Sequence, residues 1–534
     1  MNISDKLHKV SNGITQASVV MATETNKGIL IRLGFSPSTI EQAGESDMLI
    51  AIRARDQQSI DLANSQVDAL FESQASIGES GKVSDIESAL RMMPAANLAL
   101  ISVPGEYVKD ISSQLIERGI HQQIFSDHVP VEDELEIKTK ACARGVLIMG
   151  PGAGTSIING KGIGFSNAIR IGPVGIVAAA GTGLQEVTTL LDQCGIGVKH
   201  GFGVGGNDPK DKIGGIMMLE CMRILEKDDD IKVVAIVSKP PSPAVERKIT
   251  DYLVNNGTKK YVLAFIGGGI ENTDIKNLDN DYHSGTAITK VNSLASSVLA
   301  VANALGHDQL QLALSQIYLP PERLTILLQN EWTRLRGAQK FIRGLYTGGT
   351  FTYEAQIILG EMLDEGTIYS NAPIGQIKEL NDSFKSEKHS IVDLGEEEFT
   401  QGRPHPMIDP TIRNFRIIEE AQDPEVAVLL LDFVLGFGSN PDPVGATLDE
   451  LKTAKAVAQK DGRYLSIVTH VCATKDDIQG YEQSISNLKN AGCIVMPTNA
   501  LSAIASAAIA SRGQIDMAHV YSKFVELPHS SKEI

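Results

Sequence analysis

Along most of the chain, short runs of consecutive apolar residues alternate with stretches whose apolar positions recur every three or four residues. The first pattern predicts buried strands of a parallel sheet, and the second predicts helices with one face on a core. Over residues 1–165 the runs Ala17–Ala22, Met48–Ile52, Leu98–Val103, Gln123–Phe125 and Val146–Met149 are strand candidates. Helices are expected between them at Tyr107–Arg118 and Glu132–Arg144, a βαβ order that predicts a Rossmann-like parallel sheet. The polar stretch 57–84 reads as a surface helix and loop insertion. A second α/β unit is expected over 170–304, a helical connector containing Trp332 over 305–340, and a third α/β unit over 341–534.

One stretch organises this pattern. Gly175–Ala180 is an apolar strand that breaks at Gly181-Thr182-Gly183, and Leu184, Val187, Leu191 and Cys194 then mark one face of a helix. Strand, small-residue turn and helix start together aim free N–H groups, and the positive end of the helix dipole, at an anion. The design recurs: Gly344–Thr350 leads into a helix whose apolar face is Phe351, Ala355, Ile358 and Met362. Each copy carries Gly-Thr and then a glutamate four residues after the threonine, Glu186 and Glu354. Thr182 and Thr350 lie 168 apart (350 − 182) and Asp228 and Asp423 lie 195 apart (423 − 228), an offset at which Pro209 also falls on Pro404. Two related units facing each other would join both helix ends in one pocket lined by Gly181, Thr182, Gly183, Gly348, Gly349 and Thr350. The two glutamates read either as first-turn acids that offset the helix dipole or as catalytic carboxylates.

Three further features bear on chemistry. The strand Val233–Val237 ends at Ser238-Lys239-Pro240-Pro241, which puts Lys239 at a carboxyl end where ligands of open α/β sheets collect. In the run Gly402–Pro410, His405 is held stiff between Pro404 and Pro406. Beside Arg403 it would serve either as a catalytic or anion-binding group or as a structural loop residue. Gly201, Gly203 and Gly206 spell a formal G-x-G-x-x-G. Asn207-Asp208-Pro209 follows it like a helix cap, and no acid stands where a dinucleotide ribose would need one, so it is discounted. His283, in the polar loop 272–285, is expected to carry no chemistry.

Composition narrows the partners. With 534 residues there is room for three or four domains. A net charge of −17 argues against a duplex nucleic-acid binder but leaves a small anionic substrate open. The five cysteines form no CxxC pair, so neither a disulfide framework nor a metal site is expected. The N-terminus lacks an apolar signal region and no apolar run is long enough to span a bilayer, so a cytoplasmic protein without membrane contact is expected.

Residues 96–237 resemble the alpha subunit of succinyl-CoA synthetase, through Val103-Pro104, Met149-Gly150-Pro151, Gly175-Ile176-Val177, Gly181-Thr182 and Glu186. The third unit resembles the ligase domain of that enzyme's beta subunit, through Val392-Asp393-Leu394-Gly395 and the strand that opens at Asp423. With Ser238–Pro241 and Gly402–Pro410 included, nearly the whole chain resembles the FdrA family, its YahF-like branch in particular. The resemblance implies a Rossmann-like, CoA-binding-like domain followed by two flavodoxin-like domains, with no ATP-grasp domain. It also implies a phosphate held between two helix N-termini, with Glu186 matching the glutamate that contacts the synthetases' catalytic histidine. Residues 21–28 carry no T-G-x-x-G coenzyme A loop, Gly150-Pro151-Gly152 stands for Gly-Pro-Asn, and Tyr282–Thr286 only echoes the phosphohistidine context. The implied function is a subunit of a carbamoyl- or acyl-transferring enzyme, of the oxamate carbamoyltransferase type in nitrogen catabolism. Carbamoyl phosphate or phosphate is the expected ligand, coenzyme A less so, and other subunits or further copies of the chain are the expected partners. An acyl-CoA ligase in the strict sense and a non-catalytic anion-binding scaffold are the alternatives.

Overall fold

The computed structural model describes residues 3–76, 83, 85–268 and 287–527. The loop 272–285 with His283, and the end of the stretch 57–84, lie outside the described residues. The chain divides into two compact units, one made of 1–96 with 394–416 and the other of 97–393 with 417–534.

In the first unit the strands Ile14–Met21 and Met48–Ala54 pair with each other, antiparallel, so the parallel sheet expected over 1–165 does not include them. Their alternation of more and less buried positions is that of a half-covered antiparallel pair, whereas continuous burial marks the parallel strands further on. A bulge between Ile14 and Gln16 turns Ile14 onto the face of Ala17, where both join a core with Ile3, Leu7 and Ala63. Val20 joins a separate cluster with Leu30 and Ile40. The helix Gln57–Ser76 is not a surface insertion: Ala63 is fully buried, and Val67, Leu70 and Phe71 pack against the same core.

The second unit begins with a three-stranded parallel sheet, Leu98–Ile101, His121–Ile124 and Ile148–Met149, with helices Val108–Glu117 and Val131–Ala143 in the crossovers. A hairpin, Thr155–Ile158 with Lys161–Gly164, then forms the edge of a seven-stranded sheet. Its five parallel strands run Val198–Gly203, Val174–Ala178, Val233–Ser238, Lys260–Phe265 and Ile288–Val291 across the sheet. Helices Leu294–Leu305, His307–Ile317 and Pro321–Trp332 lead to a second seven-stranded sheet. There, His389–Asp393, Phe341–Tyr346, Val426–Val434, Ser466–Cys472 and Ile494–Met496 repeat the same order, second-first-third-fourth-fifth. Both sheets are flavodoxin-like and doubly wound, and the duplication read from the Gly-Thr spacing is a duplication of topology.

Gly201 and Gly203 lie inside the strand Val198–Gly203, and a Cβ on Gly203 would stand 2.3 Å from the Thr155 carbonyl oxygen. These glycines serve close strand packing and do not cradle a phosphate. Asn207-Asp208-Pro209 does not open a helix either. Asp208 accepts from the N–H groups of Met217 and Met218, and so caps the helix Ile216–Glu226 from outside. The same carboxylate, with Glu134 and the Val204 carbonyl, receives the Lys138 ammonium at 2.7–2.9 Å in a site closed to solvent. Asp208→Ala is therefore expected to cost about 2–4 kcal/mol, because two buried helix N–H groups lose their acceptor while the Lys138 ammonium keeps only Glu134 and the Val204 carbonyl. Urea unfolding measures this, and a change under ~1 kcal/mol would contradict it.

Candidate functional site

Both Gly-Thr turns sit where sequence reasoning put them, between a buried strand and the helix it feeds. The helices run Gly181–Gln193 and Gly349–Met362, and neither cap residue, Ala180 or Gly348, supplies a side-chain acceptor. The two turns touch. The Thr350 N–H donates to the Thr182 hydroxyl oxygen at 3.2 Å. A Cβ added to Gly183 would come within 3.0 Å of the Thr350 methyl, and one on Gly348 within 2.9 Å of the Thr182 methyl. Only glycine lets the two backbones approach this closely. The rim of the joint remains accessible, with Gly349 exposed and Gly181 and Thr182 half-buried. The second turn is braced from below, since the N–H and hydroxyl of Thr347 both donate to Asp432 at 2.8 Å.

The two glutamates lie deeper than the sequence suggested. Each is the sixth residue of its helix and so in the second turn, fully buried, and neither is a first-turn acid. Glu354 accepts from the Leu294 N–H at 2.7 Å, at the start of the helix that follows the other repeat's fifth strand. Glu186 reciprocates, accepting from the Asn499 N–H at 3.3 Å, at the start of the corresponding helix Asn499–Ala510. The Asn499 side chain also donates to Glu354 at 2.8 Å. Each repeat thus caps the other through a crossed pair of carboxylates. Through these contacts Glu186 and Glu354 tie the two repeats together behind the joint.

The symmetry breaks at one position. Strand pairing carries Val177 through Ile236 to Leu263, and Leu345 through Leu431 to Thr469, so Ala264 in the first repeat corresponds to His470 in the second. His470 bonds Glu186 at 2.7 Å with both groups buried, and Glu354 has no such partner. Burial pulls the His470 pKa down, but the Glu186 carboxylate outweighs it and leaves the pKa raised. Burial pushes Glu354 up to about 7. Sequence reasoning found no histidine opposite Glu186. The available signal was a lone histidine within the apolar strand run Ser466–Cys472, at the position where the repeat has alanine.

Lys239 joins the neighbourhood, its ammonium 4.7 Å from the ring centroid of Tyr353, in the second turn of the Gly349 helix. Arg403 and His405 belong to the first unit, whereas Thr182 and Thr350 belong to the second. Burial holds His405 neutral at pH 7, with a pKa of about 4, and lowers that of Arg403. The His405 ring accepts from the Met407 N–H at 3.2 Å within its own loop.

A raised folded-state pKa means that the native protein holds a proton the unfolded chain releases. The stability from protonated Glu354 is present below its ordinary value of 4.5 and is lost as pH rises toward and through about 7, and His470 acts in the same direction. Glu354→Gln is expected to flatten the fall in melting temperature between pH 5 and 8.5 and to gain up to about 3 kcal/mol at the alkaline end. A variant that keeps the wild-type slope would contradict this.

Residues 345–509 match the CoA-ligase family, and residues 1–87 match the heavy metal-associated domain of AllF. A heavy metal does not fit the first unit: residues 1–87 contain no cysteine and one histidine, His8. Among the described residues no three His, Cys, Asp or Glu side chains converge as a metal would require. The chain is 29% identical over 175 residues to the alpha subunit of an ADP-forming succinate–CoA ligase from Methanothermobacter thermautotrophicus, covering 32% of this chain and 57% of that one. It is 24% identical over 177 residues to SqwL, a subunit of an ADP-forming sulfoacetate-CoA ligase from Acholeplasma sp., covering 32% and 58%. The chain thus spans little more than half the length of these two ligase subunits. Among the described residues no helix is long and apolar enough to cross a membrane. With the uncharacterized protein YahF of Escherichia coli K12 it shares 40% identity over 496 residues, 93% of this chain and 92% of that one. The chain belongs to the YahF family, and its residues 345–509 match the CoA-ligase family.

Proposed function

We propose that this chain binds a phosphate-bearing acyl or carbamoyl donor at the joined helix ends and acts as a subunit in transferring the acyl or carbamoyl group. The observation that carries the reading is the direct contact of the two turns. Two helix N-termini meet at an accessible rim with no side-chain cap of their own, and the Lys239 ammonium lies over Tyr353 in the second turn of one of these helices. A phosphate there would face the backbone donors and two positive dipole ends, each worth about 0.3–1 kcal/mol at an exposed site. The crossed network lowers the repulsion of the carboxylates behind them. Glu186 is paired with His470, and Glu354 holds a proton for much of its time near neutral pH.

In the transfer, a nucleophilic nitrogen of the acceptor attacks the donor's carbonyl carbon and the carbon–oxygen bond to the phosphate breaks. The phosphate leaves with the bonding electron pair, and the nitrogen's proton passes to solvent. The helix N–H groups stabilise the charge that develops on the departing phosphate. The CoA-ligase match favours a second reading, in which the acceptor is the thiol of coenzyme A. Phosphate release from carbamoyl phosphate, measured with the partner subunits present, separates the two. Release that depends on an amide acceptor such as oxamate supports carbamoyl transfer, and release that depends on coenzyme A supports the ligase. Phosphate binding with neither activity leaves the scaffold.

Gly181 is the position to test. A Cβ there has 4.0 Å to its nearest neighbour, the Thr155 hydroxyl oxygen, whereas one on Gly349 would press within 2.8 Å of Asp393. The two glycines are therefore not equivalent probes. Gly181→Val is expected to lower phosphate affinity about tenfold, close to 1.4 kcal/mol, with the melting temperature little changed. Calorimetric titration with inorganic phosphate measures it, and unchanged affinity would place the anion elsewhere.

A further inference from the structure

The first unit, whose residues 1–87 match a heavy metal-associated domain, has no cysteine and one histidine there, and among the described residues no cluster of His, Cys, Asp or Glu converges to hold a metal. It does have an occupant at the end of its first strand, contributed by a segment almost four hundred residues away in sequence. The Met21 N–H donates to the Gly402 carbonyl at 3.1 Å. The Asn26 side-chain amide, on a residue only 1% exposed, donates to the carbonyls of Met21, Gln401 and Gly402 at 3.0–3.3 Å. Gly402 has φ +69°, and a Cβ on it would stand 3.0 Å from that of Met21 and 3.2 Å from the Thr23 methyl and the Asn26 amide. The fit therefore requires glycine twice over, for its backbone angle and for the space it leaves. The turn is closed on its own account as well: Thr23 caps the helix Glu24–Arg32, and Lys27 pairs with Glu24 at 3.0 Å.

We infer that residues 1–96 form an intramolecular docking module rather than a metal-transfer domain. Its ligand is the backbone of Gln401-Gly402 in the same chain, gripped by the Asn26 amide and the end of the first strand. The segment it grips follows the short helix Glu397–Thr400 and leads straight into Arg403 and His405, so the module fixes the start of the Gly402–Pro410 run. The inference is independent of the proposed transfer reaction.

Hydrogen–deuterium exchange on the full chain tests it in both directions. Asn26→Ala is expected to speed exchange at residues 399–408 as well as at 20–28. Gly402→Ala is expected to speed exchange at 20–28 as well as at 399–408, with residues 174–193 and 341–362 unchanged in both variants. Titrating the wild-type chain with zinc(II), nickel(II) or copper(I) is expected to leave exchange at 20–28 unaltered. Substitutions that disturb only their own segment would overturn the inference. So would one equivalent of any of these metals bound with protection gained at residues 20–28.

Discussion

The hydrogen bond from the Thr350 N–H to the Thr182 hydroxyl is short-range, but it presupposes the placement of nearly every element in the second unit. Two helices can present their N-termini to one point only if their strands end at the same level, and only if nothing larger than glycine stands at Gly183 and Gly348. Each helix start leaves several N–H groups without an intrahelical acceptor. One of these, on Thr350, is satisfied by the other repeat. The joint is thus both the contact between two domains and the reason that the remaining donors sit close together.

Below the joint, a buried network makes the two repeats mutually dependent. A carboxylate inside a protein is costly unless it is hydrogen-bonded, and here each repeat's glutamate accepts from the first N–H of the helix that follows the other repeat's fifth strand. The exchange is symmetric, but the charges are not. His470 compensates Glu186, while Ala264 at the corresponding position offers Glu354 nothing, and burial then favours its protonated form. A fully ionised pair of glutamates would set negative charge behind the two helix N-termini. One histidine and one retained proton remove most of it.

Local pattern sufficed for the parts of the molecule that are local. The strand–turn–helix of Gly175–Cys194, its copy at Gly344–Met362 and the offset between them were legible because glycine, threonine and apolar periodicity act within a few residues. The first unit was misread for the same reason. Apolar runs at 17–22 and 48–52 identify strands without their direction, and pairing depends on residues far apart in sequence. His470 escaped notice because nothing adjacent to it marks a buried ion pair, whose partner lies 284 residues away. The grip of Asn26 on Gly402 spans 376 residues and was equally hidden. Residues 21–28 and 402–410 each stood out as unusual, but only the fold brings them together.

The central claim, that the two joined helix ends hold a phosphate, is tested most directly by diffraction from crystals of the protein grown with inorganic phosphate. The account predicts a phosphate at the Thr182–Thr350 joint, held by backbone N–H groups of both turns. Well-ordered crystals with no anion there at saturating phosphate, or with phosphate bound only at another place, would contradict it.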